Sequence, residues 1–299
     1  MNIVIMGAGA IGSLFGALLN KKNNVILIGK KPHISAIKKS DLVIEGKTNL
    51  KVKISAEHSL DKIKLKPDLI FLTVKSYDTE FAIGQLIDII NEETIIISLQ
   101  NGLDNIDKIK DYVDEEKIVA GITTHGAIFS KPGRIKHTGI GKTIIGELNG
   151  DITKRIKEIE NLFNDSEIKT NISKDIIKEI WIKAIVNSSI NPLSAFFQCK
   201  NGYLLKNPIL ERLLERICDE STKIANVEGL NLSNIEMIKK TKEVIKDTSE
   251  NHSSMLQSIL HSKKTEIDSI NGKIVEIGIK NKIDPLINKI LLHSIKSLS

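Results

Sequence analysis

Residues 1–12, Met1-Asn2-Ile3-Val4-Ile5-Met6-Gly7-Ala8-Gly9-Ala10-Ile11-Gly12, carry the strongest fold signal in the sequence. A short apolar run enters Gly7-x-Gly9-x-x-Gly12 directly, and Ser13-Leu14-Phe15-Gly16-Ala17-Leu18-Leu19 continues with helical spacing. This strand–turn–helix setting is what a dinucleotide-binding fingerprint requires. Gly7 permits the tight turn, Gly9 lets the backbone approach a pyrophosphate, and Gly12 allows helix and strand to pack closely. Ala8, Ala10 and Ile11 lie between them, so their backbone joins the same cradle. The helix N-terminus then presents unpaired N–H groups and a positive dipole end to phosphate.

Apolar runs Ile3–Met6, Val25–Ile28, Leu69–Val74, Ile95–Leu99 and Lys117–Thr123 alternate with helical patterns near Ile11–Asn20, Thr79–Ile90 and Leu103–Tyr112. Near-continuous Ile/Val/Leu runs are the mark of parallel strands buried on both faces. Residues 127–146 differ, carrying Pro132-Gly133 and Thr138-Gly139-x-Gly141, and predict antiparallel hairpins attached to the sheet. Beyond Ile172 the grammar turns helical: Ile176, Ile177, Ile180, Trp181, Ala184 and Ile185 recur at helical intervals, as do Ile267, Ile270, Ile274 and Ile277. The fold class expected is α/β, with a Rossmann-type domain over residues 1–172 and an all-helical domain over residues 173–299. A ligand belongs beyond the carboxyl ends of the parallel strands.

Composition narrows the function classes. The 299 residues are 27% charged and 41% hydrophobic, which suits a globular protein. No apolar stretch approaches the roughly 20 residues that span a bilayer, and the first strand leaves no room for a signal peptide. A cytoplasmic location is expected, with no membrane partner. Cys199 and Cys218 have no metal-ligand spacing, and no metal is expected. The net charge of +6 is spread along the chain among Asp and Glu, and aromatics are only 4%, so nucleic acid is not an expected partner.

NAD sites place Asp or Glu at the end of the second strand. Here Val25–Ile28 runs into Gly29-Lys30-Lys31, which has no carboxylate and two cations suited to a 2′-phosphate. NADPH is therefore the expected cofactor, with NADH open, the alternative being that Lys30 and Lys31 start a solvated loop. Three polar groups stand out. Lys183, Asn187 and Asn191 share one face of the helix carrying Trp181, where Pro192 should kink or end it; plain solvent exposure is the alternative. Asn251, Ser253 and Ser254 precede an apolar run and could cap a helix, as Thr265-Glu266 could. Lys75 and Asn101-Gly102 fall just past the ends of two strands, where an α/β site puts its chemistry.

With these residues quoted, the chain resembles the ketopantoate reductase (2-dehydropantoate 2-reductase) family. The resemblance runs from the glycine loop through Val74-Lys75-Ser76-Tyr77-Asp78-Thr79, Leu99-Gln100-Asn101-Gly102-Leu103, His137-Thr138-Gly139-Ile140-Gly141 and Trp181-Ile182-Lys183. It continues through Asn187, Ile190-Asn191-Pro192-Leu193, Asn201-Gly202, Ser253-Ser254-Met255-Leu256-Gln257, Thr265-Glu266-Ile267-Asp268 and Asn271-Gly272. It implies NADPH-dependent reduction of 2-dehydropantoate to (R)-pantoate, on the route to pantothenate and coenzyme A. Lys183 would polarise and protonate the ketone oxygen. Glu266 would accept from the substrate hydroxyl and touch the cofactor side. Asn187, Asn191, Asn251 and, less closely, Asn201 match substrate-binding asparagines, and Ser254 would bond the substrate carboxylate. Lys75 and Asn101 would lie at the nicotinamide side, Asn101 touching substrate as well, and Ala127 would offer a backbone contact to the cofactor. Lys30 stands where family members commonly carry arginine, which bears on NADPH-over-NADH selectivity. Rival readings are a related NAD(P)H-dependent 2-oxo acid reductase, an opine-type or imine-type enzyme of the same architecture, and a non-catalytic NADPH-binding redox sensor. The partner expected is a small-molecule 2-oxo acid, and a homodimer is left open.

Overall fold

A computed structural model describes residues 1–63 and 65–298. Lys64 and Ser299, inside the two expected domain ranges, lie outside the described residues. The chain forms two compact units, Met1–Gln100 with Asn105–Glu179, and Asn101–Asp104 with Ile180–Ser299.

In the first unit β1 (Asn2–Met6), α1 (Ala10–Leu19), β2 (Asn24–Ile28) and α2 (Lys31–Ser40) follow one another, then β3 (Leu42–Gly46), β4 (Leu50–Val52), β5 (Ser55–Glu57) and β6 (Leu69–Leu72). After them come α3 (Thr79–Leu86), β7 (Ile95–Ser98), α4 (Asn105–Lys110), β8 (Ile118–Thr123), β9 (Gly126–Lys131), β10 (Arg134–Gly139), β11 (Thr143–Glu147), α5 (Lys154–Asp165) and β12 (Thr170–Ile172). Eight strands form one sheet in the order β12-β11-β8-β7-β6-β1-β2-β5, parallel except where β11 meets β8. The chain order reverses at β1, which pairs with β2 on one side and β6 on the other. That reversal opens the crevice in which such sheets bind ligands. Ile3, Ile5, Leu14, Phe15, Leu27, Phe71 and Phe163 are all fully buried in one core, each contributing roughly 1.5–3 kcal/mol by leaving water.

The expected hairpins take a different place. Only β11 joins the large sheet, while β9 and β10 form a second sheet in the order β4-β3-β10-β9. There β10 runs parallel to β3 and antiparallel to β9, and α1 packs against β3, β9 and β10. Strands β3, β4 and β5 have no counterpart among the sequence-derived runs. They are short pieces in a lysine-rich stretch, and β4 and β5 are edges, where a strong apolar run would invite aggregation.

His33 joins these layers. Its Nδ1 accepts from Gly133 N at 2.9 Å, so its Nε2 carries the proton and meets Ser13 Oγ at 3.0 Å. Burial pushes this imidazole down from 6.5 to about 4. The unfolded chain therefore takes up a proton that the folded chain refuses, and stability falls as pH drops through this window. We expect His33 to contribute a loss of about 2–3 kcal/mol between pH 6.5 and 4, seen as a urea midpoint that falls less steeply in His33→Gln. A midpoint insensitive to His33→Gln in that range would reject the assignment.

The second unit is helical. It contains α6 (Ile176–Phe196) from Ile180 onward, α7 (Tyr203–Lys206), α8 (Pro208–Val227), α9 (Asn234–Asp247), α10 (Ser254–Leu260), α11 (Lys273–Lys280) and α12 (Leu286–Lys296). Local chemistry sets the helix starts. Asn207 accepts from Ile209 N and Leu210 N ahead of Pro208, and Ser233 accepts from Glu236 N. Ser253 caps α10 by accepting from Leu256 N, as its sequence position allowed. A single π turn, Asp268–Gly272, precedes α11, with Gly272 N donating to Ile267 O at 2.9 Å. Trp181, Ile185, Ile190, Leu214, Ile217 and Ile274 share one core. The chain is thus α/β, with a Rossmann-type sheet followed by a helical unit. Among the described residues no helix is long and apolar enough to cross a membrane.

Candidate active site

The glycine loop is built as its residue types demand. Gly7 holds φ +111°, and a Cβ on it would lie 2.5 Å from Val74 N. Its N–H and that of Ala8 donate to Ile28 O at 3.0 and 2.7 Å, locking the turn to β2. A Cβ on Gly12 would lie 2.3 Å from Gly7 O and 2.4 Å from Thr73 Oγ1, whereas one on Gly9 would meet nothing nearer than 3.9 Å. Gly12 is therefore a packing position, and Gly9 leaves open the space that a pyrophosphate needs. Helix geometry leaves the N–H groups of Ala10, Ile11 and Gly12 without intrahelical acceptors, and Gly9 as N-cap offers no side chain to fill them. The donors and the open cradle suit a dinucleotide phosphate.

Lys30 and Lys31 are exposed at the start of α2, and among the described residues neither enters an ion pair. Lys75 is half-buried and caps the single turn Ser76–Asp78 just past β6. Ala127 is half-buried on β9 opposite His137. Beside it His125 Nδ1 lies 3.2 Å from His137 Nε2, which donates to Gly139 O at 2.9 Å. Burial, with His137 alongside, pushes His125 down to about 4, so the histidine next to the Ala127 strand is neutral near pH 7.

Two supports in this unit went unread in the sequence. Thr73 Oγ1 donates to Gly7 O at 2.8 Å, pinning the glycine loop to the end of β6. Gln100 Nε2 donates to Val74 O at 3.1 Å and to Thr79 Oγ1 at 2.7 Å, fixing the backbone before Lys75. A threonine and a glutamine just past two strand ends were the available signal.

In the second unit Asn101 Nδ2 donates to Glu266 Oε2 at 3.4 Å. The segment that carries Asn101 is tied down further by Leu103 N to Ser269 O at 2.9 Å and Ser269 Oγ to Asp104 Oδ2 at 3.2 Å. Glu266 is buried, at only 7% exposed. Lys183 and Asn187 are half-buried and Asn191 is buried, which removes the solvent-exposed reading of that helix face. Ser253 Oγ receives from Ser194 Oγ at 2.6 Å and reaches Asn191 O at 3.5 Å, linking α6 to the start of α10. Asn251 and Ser254 are exposed there, available to a small ligand. Asn201 is buried; its Nδ2 donates to Thr248 Oγ1 at 3.0 Å and its N–H to Asn251 O at 3.0 Å. Its amide nitrogen thus holds the Asn251 segment in place. Among the described residues no cluster of His, Cys, Asp or Glu could hold a metal ion.

A doubly wound nucleotide-binding sheet, joined in one chain to a helical unit with a buried carboxylate and a half-buried lysine, defines an NAD(P)H-dependent oxidoreductase. The family model for ketopantoate reductase PanE/ApbA matches residues 3–150, and its C-terminal counterpart matches residues 175–299. The chain belongs to the ketopantoate reductase family. It is 41% identical to 2-dehydropantoate 2-reductase of Pyrococcus abyssi, over 99% of this chain and 97% of that one. The crystal structure of a PanE/ApbA family ketopantoate reductase from Ralstonia eutropha superposes with a TM-score of 0.92 at 27% identity, covering 100% and 98% of the two chains. A ternary structure of D-mandelate dehydrogenase with NADH and anilino(oxo)acetate gives a TM-score of 0.95 at 27% identity, covering 100% and 98%.

Proposed function

We propose that this chain reduces 2-dehydropantoate to (R)-pantoate with NADPH, in the cytoplasm, where its two unpaired cysteines suit a reducing compartment. The observation that carries the reading is the buried Glu266 carboxylate receiving the Asn101 amide, in the same unit as Lys183. Residues 1–172 are assigned to the cofactor and residues 173–299 to the substrate, with Asn101 serving both. When bound, NADPH supplies the hydride. Negative charge then grows on the ketone oxygen, and Lys183 is the group assigned to stabilise it and deliver the proton. Glu266 accepts from the substrate hydroxyl and so fixes which face of the ketone is presented. Asn187, Asn191 and Asn251 orient the substrate, Ser254 bonds its carboxylate, and Asn201 acts through Asn251. The glycine loop holds the pyrophosphate, Lys75 and Ala127 contact the nicotinamide half, and Lys30 and Lys31 take the 2′-phosphate.

The likeness to D-mandelate dehydrogenase favours a second reading, a reductase of bulkier 2-oxo acids using NADH. Oxidation of NADPH and NADH is followed in parallel with 2-dehydropantoate and with phenylglyoxylate, the 2-oxo acid corresponding to mandelate. Fast NADPH oxidation with 2-dehydropantoate is expected; turnover confined to phenylglyoxylate would replace the first reading by the second. The Lys30→Ala/Lys31→Ala double variant is expected to lose about 10–100-fold in kcat/KM for NADPH, the range of one or two charge-assisted hydrogen bonds. Its kcat/KM for NADH should stay within about threefold, and equal losses with both cofactors would discard the 2′-phosphate role.

A further inference from the structure

Pro192 lies inside α6, one residue past Asn191. Having no N–H, it leaves the carbonyl of Ser188, four residues earlier, without its helical donor. That carbonyl is buried, yet it is not orphaned: Asn271 Nδ2 donates to it at 3.1 Å from the π turn that follows Glu266. The second hydrogen of the same nitrogen goes to Asn288 Oδ1 at 2.9 Å. Asn288 Nδ2 in turn donates to Glu220 Oε1 at 2.8 Å and to Ser221 Oγ at 3.1 Å, while Ile287 N and Asn288 N also donate to the Glu220 carboxylate. Asn271 and Asn288 are both fully buried.

The direction of this chain is fixed at one end by charge. A carboxylate only accepts, so the Asn288 amide must turn its nitrogen to Glu220 and its oxygen to Asn271. Asn271 must then turn its nitrogen toward two acceptors, Asn288 Oδ1 and Ser188 O. We propose that Asn271 is a positioning residue, which supplies the donor that Pro192 removes and thereby fixes α6, carrying Lys183, Asn187 and Asn191, against the segment carrying Glu266. The catalytic consequence rests on the site assignment given above. The hydrogen bond itself does not.

A double-substitution cycle tests it. Pro192→Ala returns an N–H to position 192, so the Ser188 carbonyl no longer depends on Asn271. We expect Asn271→Ala to lower kcat about 10–100-fold in the Pro192 enzyme, the scale of a roughly 1 Å misplacement, with KM for NADPH unchanged. In the Pro192→Ala enzyme the same substitution should cost less than about threefold, and the loss of melting temperature should shrink in parallel. Equal losses in both backgrounds, or an unchanged kcat in Asn271→Ala, would overturn the proposal. Coupling in melting temperature without coupling in kcat would overturn it too, leaving Asn271 a purely structural residue. If Asn271→Ala gives no folded protein, Asn271→Ser is compared by the same criteria. If neither folds with Pro192 present, recovery of folded enzyme by Pro192→Ala supports the proposal and failure to recover overturns it. An error in the site assignment shows separately, as full turnover by Lys183→Ala.

Discussion

Lys183→Ala is expected to lower kcat by about 10²–10⁴, the span associated with losing a positioned proton donor, while the affinity for NADPH changes less than about threefold. The split follows from where the groups sit. The groups assigned to the cofactor phosphates, the glycine loop with Lys30 and Lys31, lie in the first unit, whereas Lys183, assigned to the substrate, belongs to the second. Alanine is a good helix residue, so α6 should persist and the loss should be chemical. Adding methylamine or ammonium to Lys183→Ala should restore part of the turnover, because a small cation can occupy the vacated space and protonate the same oxygen. Turnover within about twofold of the parent enzyme would remove Lys183 from the mechanism.

Gly12→Ala is expected to weaken NADPH binding by at least about 100-fold, measured by quenching or fluorescence titration of the purified protein. The added Cβ would sit 2.3 Å from the backbone oxygen of Gly7, which cannot turn away as a side chain can. α1 must retreat from the loop, and its N–H groups retreat with it. The gain in helix propensity, about 0.5–1 kcal/mol, is too small to offset this. Gly16→Ala is the control within the same helix. There the new Cβ meets Leu27 Cδ2 at 2.5 Å, the movable end of a side chain, and binding should change less than about fivefold. Similar losses from both would mean that α1 is merely intolerant of added volume.

The difference between those glycines also marks what a sequence can and cannot reveal. Gly7, Gly9 and Gly12 are legible because their motif, a turn between a strand and a helix, lies within a dozen residues, although Ile28, Thr73 and Val74 then close around it. The parallel strands were legible because burial on both faces leaves continuous Ile/Val/Leu runs. Thr73, Gln100 and Asn271 were not assigned roles, because each acts on a partner far away along the chain: Thr73 meets Gly7 at a separation of 66 residues, and Asn271 meets Ser188 at 83. No local pattern announces such a pair. Pro192 shows the limit most clearly. Its ring predicts a kink or an end to the helix, yet α6 continues to Phe196, and the Ser188 carbonyl that it deprives of a helical donor is met from elsewhere in the fold. The second sheet is hidden for the same reason: turn residues predict the antiparallel β9–β10 pair but do not say which strand it will lie beside.

That small sheet has a consequence for synthesis. Gly46 is paired with His137, so although β4 follows at once, the second partner of β3 leaves the ribosome about 90 residues later, a delay of roughly 5–20 s at ordinary elongation rates. Until then α1, with Leu14, Phe15, Leu18 and Leu19 buried in the finished fold, lacks the β9 and β10 part of the layer packed on it. The nascent chain therefore carries an almost wholly apolar helix through a long stretch of translation before its last covering strands exist.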